Sequence, residues 1–162
     1  MTVVNGLPAH VLLVHFVVVL APLTAVLVIV CALWPAARRH LVWLTLILAV
    51  ITTVLTPITA DAGEWLFDLR RNPSPVLREH ADRGGWMIYF SVALLLVAVA
   101  LAVLQILERR SGKRRLAAGV VLAIVALAVG ISSIVQVYRI GDAGARSVWA
   151  GEIARLKKAN GT

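Results

Sequence analysis

Residues 8–34 read PAHVLLVHFVVVLAPLTAVLVIVCALW, a run without one Asp, Glu, Lys or Arg. A helix rises about 1.5 Å per residue, so about 20 apolar residues cross the hydrocarbon core of a bilayer. Three stretches of the same kind follow: Leu41–Ala60, Trp86–Leu107 and Leu116–Tyr138. Together the four spans predict an all-α polytopic membrane protein. Its four transmembrane helices should pack as an antiparallel bundle in one domain over residues 1–162, with residues 139–162 forming an amphipathic, basic C-terminal tail.

Composition points the same way. Apolar residues make up 60% of the chain and charged ones 15%, with a mean hydropathy of +0.91. A soluble domain carries about 25% charge. A chain this short has no water-soluble core in which to hide four all-round apolar helices, so lipid must cover them. The net charge of +8 does not signal nucleic-acid binding, because the basic residues flank apolar spans, where they orient helices and meet lipid headgroups. The lone cysteine, Cys31, lies deep in the first span and reads as a small buried apolar residue. No basic n-region precedes the first apolar stretch, which is too long for a signal-peptide core. The first helix should therefore remain in the mature protein.

Punctuation sets the expected connections. Asn5-Gly6 marks a turn, and Pro8 suits a first helical turn. Trp34-Pro35 ends the first span, Ala36–His40 forms a short loop, and Pro57 kinks the second span. In the polar connection Asp61–Gly85, Glu64–Arg71 reads as a helical extension with Trp65 and Leu69 on one side, Asn72-Pro73-Ser74-Pro75 breaks it, and a short helical piece around Val76–Ala81 leads to Gly84-Gly85. Gly141-Asp142-Ala143-Gly144 reads as a turn after the fourth span, before a re-entering tail with Val148, Trp149 and Ile153 among charges. No residue pattern marks an internal repeat. Arg38 and Arg39 in the first loop, with Arg109, Arg110, Lys113, Arg114 and Arg115 in the third, place those loops in the cytoplasm. Both termini and the middle connection are then outside.

Three of the four histidines fall on that outer side. His10 and His15 lie in the outer third of the first span, about 140° apart around a helix, so they do not share a face. A histidine inside a span is costly and faces the bundle interior by default, as an interhelical hydrogen-bonding group or as a ligand. His80 precedes the third span and is expected to fold over the bundle mouth and meet His15. Two histidines from different helices are how a bundle holds a b-type haem or a transition metal. His15 and His80 are therefore the candidate cofactor ligands. His10, His15, His80 and Asp61 are the wider candidate metal set, with His10 and Asp61 as supporting or proton-relay groups. His40, at the opposite end, reads as interfacial. Thr45, Thr52, Thr56 and Thr59 share one face of the second span. Asp61, Glu64 and Asp68 form an acidic stripe. Ser132, Ser133, Gln136 and Arg139 end the fourth span.

No Walker-type loop, GxSxG or HExxH motif is present, and the chain does not read as an enzyme. The segment Gly6-Leu7-Pro8-Ala9-His10-Val11-Leu12-Leu13-Val14-His15-Phe16 resembles the opening of an uncharacterised family of bacterial four-helix inner-membrane proteins. Its members begin His-Pro-x-x-Val-His-Phe-Pro; His10, Val14, His15 and Phe16 match, while Val11 and Val17 replace the prolines. Ala60-Asp61-Ala62-Gly63, His80 and Gly141-Asp142-Ala143-Gly144 are similar to later family features, although some relatives carry histidine where Asp142 stands. The resemblance implies a multi-pass protein of the bacterial inner membrane. The association of some members with Rieske-type or cytochrome-like modules implies redox-linked electron transfer. The leading expectation is a haem- or metal-binding electron-transfer component. The alternative is an accessory or assembly subunit of a larger membrane or respiratory complex, and a small cation or proton transporter stands third. Expected partners are the lipid bilayer and either such a complex or further copies of the chain.

Overall fold

The computed structural model describes residues 3–4 and 6–160. A short antiparallel pair, β1 (Val3–Val4) and β2 (Leu7–Pro8), precedes five helices: α1 (Ala9–Leu33), α2 (Pro35–Asp68), α3 (Pro75–Gly85), α4 (Met87–Ser111) and α5 (Leu116–Ala159). Asn5 of the expected turn lies outside the described residues; Gly6 beside it has φ +80°, in the left-handed region open to glycine. Four helical segments are long and apolar enough to cross a membrane: α1, α2, α3 with α4, and α5. They are arranged as a square in which α1 and α4 each pack between α2 and α5.

The connections follow from single residues. Trp34 is extended (φ −122°, ψ 94°), as its place before Pro35 requires, and Pro35 opens α2 at once. The expected Ala36–His40 loop is therefore helix, because one residue suffices to reverse the chain. Gly112 ends α4 with φ +64°. The Ser74 hydroxyl accepts the Leu77 N–H at 3.2 Å and caps α3, with Pro75 in its first turn. The helix of the second span runs on through Pro57 to Asp68, which makes α2 34 residues long.

The fourth span also outruns its expected end. α5 is one helix of 44 residues, and Gly141-Asp142-Ala143-Gly144 is helical rather than a turn. Two glycines are tolerated there because Gly weakens a helix by only about 1 kcal/mol each. At 1.5 Å per residue α5 is roughly 66 Å long, about twice the hydrocarbon thickness. α2 and α5 therefore project beyond the spans, and α3 packs on α5 between them. The polar middle connection is a helical cap over one end of the bundle.

Inside, small residues let the backbones close up. Ala21, Ala25, Ala49, Ala98 and Ala126 are fully buried, with Leu94, Leu101, Val28 and Val42 filling the centre. A Cβ on Gly130 would lie 2.7 Å from Ile29 Cδ1 and 3.3 Å from the Ala25 carbonyl oxygen, so α1 and α5 touch there. Outside, Val19, Ile47, Val54, Leu96, Val121 and Ile124 are exposed, as lipid-facing side chains must be. Thr45, Thr52, Thr56 and Thr59 are all buried on one face of α2. Thr45, Thr56 and Thr59 donate to carbonyls four residues back, while Thr24 and Thr52 pair at 3.3 Å across α1 and α2.

At the end away from the cap, Arg38 is 2% exposed. Its Nε donates to Gln105 Oε1 at 3.2 Å, and its guanidinium pairs with Glu108 at 2.5 Å. The other Glu108 oxygen accepts the Arg115 N–H at 2.9 Å, just before α5. One buried cation thus ties α2 to α4 and to the start of α5. Removing one partner of a buried pair costs about 3–5 kcal/mol, whereas replacing both with apolar residues is close to neutral. R38L should lower the unfolding midpoint in detergent, read by circular dichroism, and R38L/E108L should regain most of the loss.

Candidate functional site

The helical cap brings two histidines together. His10 stands in the first turn of α1, and His80 in the middle of α3. Their ring centres are 6.3 Å apart and their planes are nearly perpendicular, at 83°. Both rings are partly buried.

Each ring is held by its Nδ1. His10 Nδ1 lies 2.9 Å from the Thr59 carbonyl oxygen on α2, and His80 Nδ1 lies 2.9 Å from the Ile140 carbonyl oxygen on α5. A carbonyl can only accept, so both Nδ1 atoms carry a proton, and in the neutral ring each Nε2 then presents a lone pair. Neither Nε2 has a hydrogen-bond partner among the described residues. Such a bond to a carbonyl fixes the tautomer and orientation of an imidazole and raises the basicity of its second nitrogen.

Both carbonyls sit in helices that continue past the expected membrane ends. Without the added turns of α2 and α5, neither ring would have a seat: His10 packs against Gly63, and His80 against Gly144. α3 is held in place by α5. The Gln136 amide donates to the Arg83 carbonyl at 2.9 Å, and the Arg83 side chain donates to the Arg139 carbonyl at 3.3 Å and pairs with Glu79 at 2.5 Å.

The pair opens onto a basin of about 1670 Å³. Phe67, Trp86 and Tyr89 are among its walls, and Arg70 and Arg78 stand on it. Trp86 and Tyr89 touch, with ring centres 5.6 Å apart.

The expected ligand sets are corrected by this geometry. His80 meets His10, not His15. His15 is exposed, and its Nδ1 donates to the Val11 carbonyl of its own helix at 2.6 Å. The 140° between the two histidines of α1 sends only one of them toward the α2 cap, and it is His10. Asp61 is exposed on α2 and makes no hydrogen bond or ion pair among the described residues. Among the described residues no group of three or more His, Cys, Asp or Glu could hold a metal ion, so His10, His15, His80 and Asp61 do not form one ligand set. His40 is exposed near the start of α2, far along that helix from Thr59.

Gly63, Gly144 and Gln136 carry parts of the site that a search for titratable side chains misses. The signal was the pairing of one glycine with one histidine in each half of the chain. The two halves are built alike: a histidine leading one helix bonds to the outer end of the helix that follows in the same hairpin. The repeat is in contacts rather than in a run of similar residues.

Among known proteins, the family described as "Predicted membrane protein (DUF2231)" matches residues 6–156 of this chain. No curated protein and no solved structure matches it.

Gln136 is buried, and its bond to Arg83 couples α3 to α5. A net hydrogen bond is worth about 0.5–1.5 kcal/mol, and the orphaned carbonyl adds to the loss. Q136L should therefore speed amide hydrogen exchange across residues 75–85 about tenfold while leaving the core of α4 unchanged.

Proposed function

The chain belongs to the DUF2231 family of predicted membrane proteins, and we propose that it is a membrane-embedded redox component whose His10 and His80 hold a b-type haem. One observation carries the reading. Two imidazoles from separate hairpins have Nδ1 committed to carbonyls and Nε2 free, at a ring-centre separation of 6.3 Å. His10 and His80 would hold the iron through their Nε2 atoms, and a ring-centre separation of 6.3 Å leaves room for two metal–nitrogen bonds of about 2 Å.

The donor set favours haem over a bare ion. Two nitrogens with no third donor among the described residues under-ligate a Zn²⁺ or Cu²⁺ ion. A haem brings four nitrogens of its own and would take the two that His10 and His80 offer; when bound, it would supply one-electron chemistry. The basin supports the same class of ligand, with aromatic walls for a flat macrocycle and Arg70 and Arg78 as guanidinium partners for carboxylates.

The chain's own residues do the rest. Thr59 and Ile140 hold the two rings through Nδ1 and keep each imidazole basic, which favours the more positive metal state. α3 closes on the site, pinned by Gln136. The two short connections at the opposite end carry seven Arg and Lys, against four diluted by five acids in residues 61–85, which supports placing the histidine end on the outer side of the membrane.

Haemin titration of purified full-length protein tests this. The wild type should take up haemin with the low-spin spectrum of two imidazole ligands. H10A and H80A should each lose that spectrum and weaken binding about ten- to hundredfold. H15A and H40A should behave as wild type. Loss of binding in H15A with retention in H10A would reverse the ligand assignment.

A further inference from the structure

One device is built twice at the histidine end. On α2, a Cβ added to Gly63 would lie 2.8 Å from both Cε1 and Nδ1 of His10. On α5, a Cβ at Gly144 would lie 3.0 Å from Cε1 and 3.1 Å from Nδ1 of His80. In both cases the carbonyl that accepts the ring proton belongs to the residue four positions before the glycine, Thr59 or Ile140.

The spacing has a physical reason. In an α-helix the carbonyl of residue i already accepts the N–H of residue i+4, and only its second lone pair is free. A ring that approaches that lone pair from outside must pass close to the Cα of residue i+4. Any side chain there blocks the approach; a glycine leaves bare backbone. The helical glycines Gly119, Gly141 and Gly151 have nothing within 4 Å of an added Cβ, so the crowding is not a general property of glycines in these helices.

We infer that Gly63 and Gly144 are positioning residues, each opening a seat in which a histidine is locked as its Nδ1–H tautomer with Nε2 bare. The inference rests on the reading above for what Nε2 is free to bind, not for the seats themselves. Because the seat is duplicated, the site presents two equivalent nitrogen donors from two hairpins. It selects a metal centre with two equivalent open positions, as in the iron of a planar tetrapyrrole.

The seats are read without any cofactor. Full-length protein labelled with ¹⁵N-histidine, in lipid nanodiscs at mildly alkaline pH where histidine is neutral, reports each tautomer by its ring nitrogen shifts, with assignment from single His→Gln variants. In the wild type His10 and His80 should both be Nδ1–H. G63A should release His10 alone and G144A His80 alone. G63A should be the stronger, because its contacts are closer, and the control G141A should change neither. Gly→Ala raises helix propensity, so these variants should fold. Haemin binding by the same samples should fall about ten- to hundredfold in G63A. Wild-type rings in the Nε2–H form, or tautomers indifferent to both G63A and G144A, would overturn the inference. Tautomers that respond as stated, in a protein that ignores haemin, support the seats and overturn only the haem reading.

Discussion

Inside the hydrocarbon no water satisfies a polar group, so every donor and acceptor must find its partner within the chain. The rest of the structure depends on that constraint. It turns the four apolar stretches into helices and sends the threonine hydroxyls of α2 back to their own carbonyls. It gathers Gln105 and Glu108 around the one buried arginine. Among the described residues no buried side-chain nitrogen or oxygen is left without a partner. The histidine pair stands at the partly exposed head of the bundle, where the constraint relaxes. There each ring spends one nitrogen on a backbone carbonyl and leaves the other without a hydrogen-bond partner among the described residues.

Much of the fold was legible in the residues. Length and apolarity sufficed for four spans, and Trp34-Pro35 marked one turn through its restricted dihedral angles. The seven-, four- and three-residue spacing of the α2 threonines identified its buried face. The misjudged parts share one cause. Hydropathy reports where a helix meets lipid, not where it stops, so the charged residues after Tyr138 read as a turn and tail, whereas Glu64–Arg71 already reads as a helical extension of the second span. Both helices continue, because a helical backbone is indifferent to whether lipid or water surrounds it and neighbouring helices cover one face. His80 was expected against His15 because depth in the membrane was weighed above helical phase. Once α2 extends to Asp68, His10 is the α1 histidine that reaches it.

The glycines show a different limit. Gly63 and Gly144 stand in segments that composition marks as flexible, yet both are helical and each lies beneath a ring. A missing Cβ has no chemistry of its own, and its meaning appears only when the partner histidine is placed above it. The same holds for the likeness between the two hairpins, which share a contact rather than a motif. Two copies of one arrangement hold two histidines through the same ring nitrogen and the same kind of support.

The central claim is that His10 and His80 together hold one haem. The most direct measurement is a reduced-minus-oxidised optical spectrum of the wild-type protein, extracted gently from its native membrane, with haem quantified against protein. The account predicts about one haem per chain, with a low-spin spectrum whose α band sharpens on reduction. A protein of full helical content that is colourless as isolated, and stays colourless when haemin is added, would contradict it.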